Sequence, residues 1–127
     1  MKIAMTSIFV HDPVKAFEFY TKVLGFKERI FMPDLRLAII VSSEDPLGTG
    51  LLLEPNDNPI AKTYQEGIYN SELPVIVFGV KNIHHEYQHL KNKGVIFRNE
   101  PTATQAGVQA IFEDTCGNLV QLYEASS

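Results

Sequence analysis

Val10-His11-Asp12-Pro13 begins a stretch, ending at Gly25, that occurs twice in this chain. The second copy begins at Val80-Lys81-Asn82-Ile83 and ends at Gly94, and it is one residue shorter. With that single gap, Asp12 pairs with Asn82, Phe17 with Tyr87, Tyr20 with Leu90, and Gly25 with Gly94. A repeat of this length is one supersecondary unit used twice, because a single copy cannot bury its own apolar face. The repeat therefore predicts two similar modules in tandem.

Each copy carries the start and stop signals of a helix. Asp12 is a suitable N-cap, and Pro13 stands at the first helical position, where its missing N–H costs nothing. Apolar residues from Val14 to Leu24 recur at spacings of three and four, which predicts one buried face. Gly25 favours the left-handed conformation that ends many helices. The same pattern predicts a helix from Ile83 to Lys93, ending at Gly94.

Short apolar runs around these helices predict strands. We expect strands at 3–10, 26–30, 35–41, 50–54, 73–80, 95–100, 108–113 and 119–124. The fold class is thus α+β: two tandem βαβββ modules that form curved mixed β-sheets with a helix packed on each. Module 1 covers about residues 1–56 and module 2 about residues 72–127. Residues 57–71 form the linker between them, with a short helix around Ile60 to Gln65.

The bulk composition restricts the class of protein. The chain has 127 residues, of which 45% are hydrophobic and 20% charged, as in an ordinary single globular domain. Its net charge of -4 disfavours nucleic acid as a partner. No apolar run approaches the roughly 20 residues that span a bilayer, so we expect no membrane association. The N-terminal residues lack the apolar region of a signal peptide, which predicts a cytoplasmic protein.

Three segments resemble the vicinal oxygen chelate superfamily, which includes glyoxalase I, bleomycin-resistance proteins and extradiol dioxygenases. They are Val10-His11-Asp12-Pro13 with Ala16-Phe17, Phe19-Tyr20 through Leu24-Gly25-Phe26, and Phe112 to Asn118 with Gln121 to Glu124. The resemblance covers essentially the whole chain and implies the paired βαβββ fold. It does not fix the function, since this fold hosts isomerases, lyases, dioxygenases and drug binders.

The metal enzymes of that superfamily place one ligand on each of four strands. The resemblance puts those positions here at Met5, Leu52, Val75 and Gln121. Catalytic metals need about three nitrogen, oxygen or sulfur ligands, and only Gln121 offers a hard donor. We therefore predict no metal and no other cofactor in this cleft.

Strand alternation predicts which side chains would line the cleft instead. If Ile8 and Val10 pack under the helix, then Met5, Ser7 and Phe9 lie on the opposite face of the same strand. The predicted cleft residues are Met5, Ser7, Phe9, Leu52, Glu54, Val75, Val77, Gln121 and Tyr123. Such a lining is apolar with a few polar groups and suits a small organic ligand. Glu54 is the one catalytic candidate, because an apolar cleft would favour its neutral form and make it an acid or base.

One sequence motif suggests a catalytic zinc site, but its position on a helix favours exposed side chains without a catalytic role. His85-Glu86-Tyr87-Gln88-His89 matches H-E-x-x-H, the zinc-protease signature. Ile83, Tyr87 and Leu90 already occupy the buried face of that helix, which turns His85 and His89 toward solvent. Capture of nickel or zinc by His84, His85 and His89 is favoured over catalysis.

Two further reactive side chains have structural explanations. Cys116 is the only cysteine, so no intrachain disulfide is possible, and we interpret it as a turn residue. His11 flanks the helix N-cap, where we expect it to be exposed.

The favoured hypothesis is a metal-independent protein that binds a small, partly apolar molecule, with the acidic net charge favouring a cation. Two alternatives stay open. One is a metal-dependent lyase, isomerase or dioxygenase of the same superfamily, with Glu54, Gln121 and one histidine as the only plausible ligands. The other is a noncatalytic dimeric module. The resemblance also implies a homodimer, and two-fold pairing is the commonest oligomer.

Overall fold

The computed structural model describes residues 1–126 and divides the chain into two compact units. The first unit contains Met1–Glu66 together with the short segment Thr115–Gly117. The second contains Gly67–Asp114 and the chain from Asn118 onward.

The first unit is a four-stranded mixed sheet with a helix on one face. Its elements are β1 (Met5–Val10), α1 (Pro13–Glu18) followed by a π-helical turn (Phe19–Val23), β2 (Lys27–Met32), a 3₁₀ turn (Pro33–Leu35), β3 (Leu37–Val41) and β4 (Gly50–Pro55). The strand order is β1-β4-β3-β2, with β1 parallel to β4 and the other neighbours antiparallel. Helix α1 packs on β3 and β4.

The second unit repeats this topology. Its elements are β5 (Ile76–Gly79), α3 (Ile83–Asn92), β6 (Thr102–Ala103), β7 (Gly107–Glu113) and β8 (Leu119–Ala125). The strand order β5-β8-β7-β6 matches that of the first unit, and β5 is parallel to β8. The predicted α+β class with two βαβββ modules is confirmed.

Equivalent residues of the two repeat copies cap and end helices α1 and α3. The Asp12 carboxylate accepts a hydrogen bond from the Val14 N–H at 2.9 Å, and the Asn82 side chain accepts from the His85 N–H at 3.1 Å. Gly25 and Gly94 adopt φ values of 89° and 92°, a region that residues with a Cβ rarely occupy. Both helices therefore begin and end where the repeated residues predict.

Each sheet buries the face that its own helix covers. In the first unit, Ile40, Leu53 and Val10 are fully buried, and Phe31 of β2 stacks on Phe17 of α1 with ring centroids 3.9 Å apart. The second core contains Ile83 and Leu90 of α3 and four strand residues: Ala110, Phe112, Val120 and Leu122. These apolar faces supply the hydrophobic stabilisation of each unit.

Two predicted segments differ in the structure. The linker is not mostly irregular, because it forms a twelve-residue helix, α2 (Pro59–Asn70), which is longer than the predicted Ile60 to Gln65. The prolines and asparagines of this segment and Gly67 inside the helix favour a linker, which explains why the sequence did not predict its full length.

The predicted strand at 95–100 forms only one isolated bridge, between Phe97 and Phe112. The ladder stops there because the Asn99 side-chain oxygen accepts the Ile111 N–H at 2.8 Å in place of a backbone carbonyl. Pro101 then has no N–H to offer. The fourth strand of this sheet is instead the two-residue β6.

Among residues 1–126, no helix is long and apolar enough to cross a membrane.

Candidate functional site

The first sheet leaves one face uncovered by its helix, here called the first open face. Direct pairing places neighbours on the same side: Ser7 with Leu52, Phe9 with Glu54, Ile39 with Leu52, Ile30 with Ile39 and Met32 with Leu37. Their neighbours along each strand are the buried residues under α1. The first open face therefore comprises Met5, Ser7, Phe9, Ile30, Met32, Leu37, Ile39, Leu52 and Glu54.

This face is predominantly apolar, and much of it is accessible. The exposed fractions of Met5, Ile30 and Met32 are 49%, 40% and 48%. Large side chains from all four strands contribute, so the apolar surface is continuous across the sheet. Surfaces of this kind mark sites where a partner or ligand binds.

Glu54 is the acidic group of the first open face. It lies directly beside Phe9 in the parallel ladder, and both residues are half-buried. Within residues 1–126, no side chain forms an ion pair or hydrogen bond with its carboxylate. Tyr64 of α2 contacts Phe9 edge to face, with ring centroids 6.4 Å apart. A carboxylate thus stands beside an aromatic pair without a cation to neutralise it.

Arg29 lies at the opposite end of the same face. A Cβ on Gly50 would come within 2.9 Å of an Arg29 guanidinium nitrogen, so the arginine covers the glycine. Arg29 donates to the carbonyls of Gly48 and Pro46 at 2.7 and 3.3 Å. Gly50 and Glu54 are four residues apart along β4, or about 13 Å. The face is therefore basic at one end and acidic at the other.

A buried glutamine holds the Phe9 end of this face in place. Gln65 is 3% exposed, and its amide donates to the carbonyls of Phe9 at 3.0 Å and Cys116 at 3.1 Å. Its side-chain oxygen accepts from the Asn56 amide at 2.8 Å. Gln65 therefore fixes the end of β1 and leaves none of these groups to be satisfied by a ligand.

The second sheet also leaves one face uncovered, here called the second open face. Val77 pairs with Gln121, which pairs with Ile111, while Gly79 pairs with Tyr123, which pairs with Gln109. Glu113 pairs with Leu119 on the same side. Leu119 is nevertheless buried, at 1% exposure. The second open face therefore comprises Val77, Gly79, Gln109, Ile111, Glu113, Gln121 and Tyr123. It is more polar than the first open face.

Glu113 is the carboxylate of the second open face, and its partners belong to the same unit. The Tyr69 hydroxyl donates to its two oxygens at 2.8 and 3.1 Å, and the Arg98 guanidinium donates at 2.7 and 2.8 Å. Hydrogen bonds to Glu113, and then to Tyr69, raise the pKa of Arg98 above its ordinary value. Arg98 remains a cation, and Glu113 is neutralised within its own unit.

The structure assigns the predicted cleft residues to two sheets. Met5, Ser7, Phe9, Leu52 and Glu54 lie on the first open face, and Val77, Gln121 and Tyr123 on the second. Val75 precedes β5, and its N–H donates to the Leu119 carbonyl at 2.9 Å. Their joint role as one ligand cleft stays a prediction.

Sequence reasoning missed several residues of these faces. Ile30, Ile39 and Leu37 could have been found, because they alternate with the half-buried Phe31 of β2 and the buried Ala38 and Ile40 of β3. No local signal pointed to Gln65 or to Arg98, whose partners lie far away along the chain.

The residues present do not fit the divalent metal of the family's enzymes. In the first unit the corresponding positions carry Met5 and Leu52, and in the second Val75 and Gln121. Three of these side chains offer no nitrogen or oxygen donor. Among residues 1–126, no group of three or more His, Cys, Asp or Glu side chains could hold a metal. We derive no chemical step through a metal at these positions.

The histidines and the cysteine that could have been reactive lie at the exposed and turn positions that the sequence predicted. His85 and His89 are exposed on α3, and His11 is exposed beside the α1 N-cap. Cys116 lies in the turn between β7 and β8 and is only 3% exposed. The adjacent Gly117 has φ 98°, and a Cβ there would approach His11 and Gln65 to within 2.5 and 2.6 Å. This turn is a packed structural element.

Two four-stranded mixed sheets of this topology, each with a helix on one face, define the paired βαβββ class. Residues 2–122 match the sequence model of the Glyoxalase/Bleomycin resistance protein/Dioxygenase superfamily. The chain belongs to this superfamily, as the resemblance of its motifs predicted.

Similar proteins are found at the level of sequence and of structure. A relative from Bacillus subtilis (strain 168), the uncharacterized protein YurT, is 51% identical over 98% of this chain and 99% of its own length. The crystal structure of UcmS2 superposes with a TM-score of 0.80 at 27% identity, covering 97% of each chain. TnmS3, an antibiotic binding protein from Streptomyces sp. CB03234, has a TM-score of 0.77 at 23% identity, covering 99% of this chain and 97% of its own.

Proposed function

We propose that this protein binds a small, partly apolar cation, and that the first open face supplies the apolar contacts and the Glu54 carboxylate the charge. The unpaired, half-buried Glu54 beside Phe9 is the observation that carries the proposal. A charged group in an apolar setting is unfavourable unless it is paired, so a bound cation would supply the missing partner.

The surrounding side chains support an apolar or aromatic body for the ligand. Phe9 is the ladder partner of Glu54, and Tyr64 contacts Phe9 edge to face. Aromatic faces attract cations. Met5 and Met32 are flexible, polarizable side chains that adapt to irregular ligands. The antibiotic binding described for TnmS3 is consistent with binding of a small organic molecule on this fold.

The proposal involves no metal and no catalytic step. Leu52 and Val75 cannot ligate a metal, and Met5 offers only a soft thioether. In this proposal Glu54 acts as a fixed charge and not as an acid or base. A metal-dependent reaction at these positions would instead require a divalent cation bound there. Metal analysis of tag-free protein that finds about one divalent ion per chain, lost on Gln121→Ala, would contradict the proposal.

Calorimetric titration with tetraphenylphosphonium and with the neutral triphenylphosphine oxide tests the recognition of charge. Glu54→Gln should weaken phosphonium binding about tenfold, or about 1.4 kcal/mol, and leave binding of the neutral compound unchanged. Glu28→Gln is the matched control, because it removes the same charge from an exposed position of the same sheet. Equal losses in both variants would show that only the net charge matters, and no loss in either would refute the role of Glu54.

We further propose that the protein is a homodimer, since exposed apolar faces and sheet edges are commonly covered by a second subunit. Light scattering at micromolar concentration should give about twice the 14.3 kDa mass of one chain. A mass of one chain would reject the dimer without affecting the proposed ligand.

A further inference from the structure

Helix α3 displays two histidines in a regular arrangement that the proposed function does not use. His85 and His89 are four residues apart and therefore lie on the same side of the helix, one turn from each other. Their imidazole rings are parallel to within 3°, with centroids 6.4 Å apart. Both side chains are exposed to solvent.

The helix that carries them is fixed at its start and along its buried face. Asn82 caps its first turn through the His85 N–H at 3.1 Å, and the Glu124 carboxylate accepts the Ile83 N–H at 2.8 Å. Ile83 and Leu90 are buried at 0% and 1% exposure. The two histidine backbones are thus held at a constant spacing, and only side-chain rotation is needed to bring two ring nitrogens to one ion.

No competing partner occupies these imidazoles. Within the part of the chain that the structure describes, neither ring forms an ion pair or a hydrogen bond. His84 is the neighbour of His85 in sequence, but it is rotated by about 100° around the helix and points elsewhere. The third histidine of this segment is therefore outside the pair.

We propose that His85 and His89 together bind one divalent transition-metal cation, with solvent completing its coordination. Imidazole nitrogen is a good ligand for copper, nickel and zinc, and two histidines one helical turn apart are a known chelating pair. The order of affinities should follow copper above nickel and copper above zinc, while magnesium, which prefers oxygen, should not bind. This site is separate from the metal positions of the superfamily's enzymes.

Metal binding at this pair should also stabilise the folded chain. The ion links the first and second turns of α3, and this geometry is lost when the helix unfolds. A cation that binds the folded form in preference to the unfolded form raises the unfolding temperature in a concentration-dependent manner.

The test is a calorimetric titration of full-length, tag-free protein with Ni²⁺ and Cu²⁺. His85→Ala and His89→Ala should each lower the affinity for Ni²⁺ by about tenfold or more, because each removes one of two ligands. His84→Ala is the matched control and should bind within about twofold of the unmodified chain. Thermal unfolding with and without Ni²⁺ gives a second readout, and the double variant should lose the metal-dependent increase.

Two results would overturn the proposal. One is Ni²⁺ affinity retained in the His85→Ala, His89→Ala double variant, which would place the ion elsewhere. The other is an equal loss in His84→Ala, which would indicate nonspecific capture by histidines. All three positions are exposed, so the unliganded variants should unfold at the same temperature as the parent. His89→Gln, which keeps the residue polar, provides a further check on folding.

Discussion

The two open faces each carry a half-buried carboxylate, yet the two carboxylates have opposite surroundings. Glu113 on the second face accepts hydrogen bonds from Tyr69 and Arg98 and is neutralised within its own unit. Glu54 on the first face lies among apolar side chains without any such partner. The fold therefore contains a completed ion pair in the second module and, among residues 1–126, an unpaired carboxylate in the first. In our proposal a cationic ligand pairs with this carboxylate.

The repeat makes this difference more specific. The ladder pair Phe9 and Glu54 in the first sheet corresponds to Gly79 and Tyr123 in the second. The Tyr123 hydroxyl donates to the Ala106 carbonyl at 2.7 Å, so its polar end is also occupied by the protein itself. Glu113 and Tyr123 are thus both satisfied within the second module. In the first module, Glu54 has no side-chain partner among residues 1–126.

The largest expected effect concerns the residue that fixes the first face. Gln65→Ala should lower the free energy of unfolding by about 2–4 kcal/mol. The Phe9 carbonyl loses the Gln65 donor, the Cys116 carbonyl loses it too but keeps the His11 N–H, and the Asn56 amide loses its acceptor. Gln88→Ala on the exposed side of α3 is the control and should change stability by less than about 0.5 kcal/mol. Chemical denaturation measures both, and equal effects would show that the Gln65 contacts contribute little.

The next prediction separates the two carboxylates. Glu113→Gln should lower the unfolding temperature by a few degrees, because it leaves Arg98 and Tyr69 without their anionic acceptor. Glu54→Gln should leave the unfolding temperature unchanged, since no partner is lost. Differential scanning calorimetry decides this, and a larger loss for Glu54→Gln would reverse the comparison between the faces.

A smaller effect of opposite sign is expected when the polar side chain of Glu54 is replaced by an apolar one. Glu54→Leu should raise the free energy of unfolding by about 0.5–1 kcal/mol, because an apolar side chain suits the surface around Leu52 and Phe9. The same variant should lose the preference for tetraphenylphosphonium over the neutral compound. Stabilisation without loss of this preference would mean that Glu54 does not contact the cation.

The smallest expected effect lies outside both faces. His85→Ala combined with His89→Ala should change the free energy of unfolding in metal-free buffer by less than about 0.5 kcal/mol. Binding of tetraphenylphosphonium should also be unchanged. A destabilisation comparable to a core truncation would show that the imidazoles have a structural role.

Much of the fold could be predicted from the sequence because its signals are local. Asp12 and Asn82 cap helices through N–H groups two and three residues away, and Gly25 and Gly94 end them in a conformation that favours glycine. Strand alternation correctly separated Ile8 and Val10 from Ser7 and Phe9. The two-residue β6 could not be predicted, because the contact of the Asn99 side chain with Ile111 joins residues that are distant in the sequence. The full length of α2 was missed because Gly67 and the prolines and asparagines around the helix favour a linker.

The sequence by itself determined the repeated module, the ends of its first helices, and the apolar character of three of the four positions that the resemblance aligns with metal ligands. Only the tertiary structure decided which polar groups are satisfied. The partners of Gln65 are 56 and 51 residues away, and Tyr69 is 44 residues from Glu113. A local sequence pattern cannot reveal such pairs, because folding brings together segments that are distant in the sequence. That is why Glu54 and Glu113 look alike in the sequence, although Glu113 is paired and Glu54 has no side-chain partner among residues 1–126.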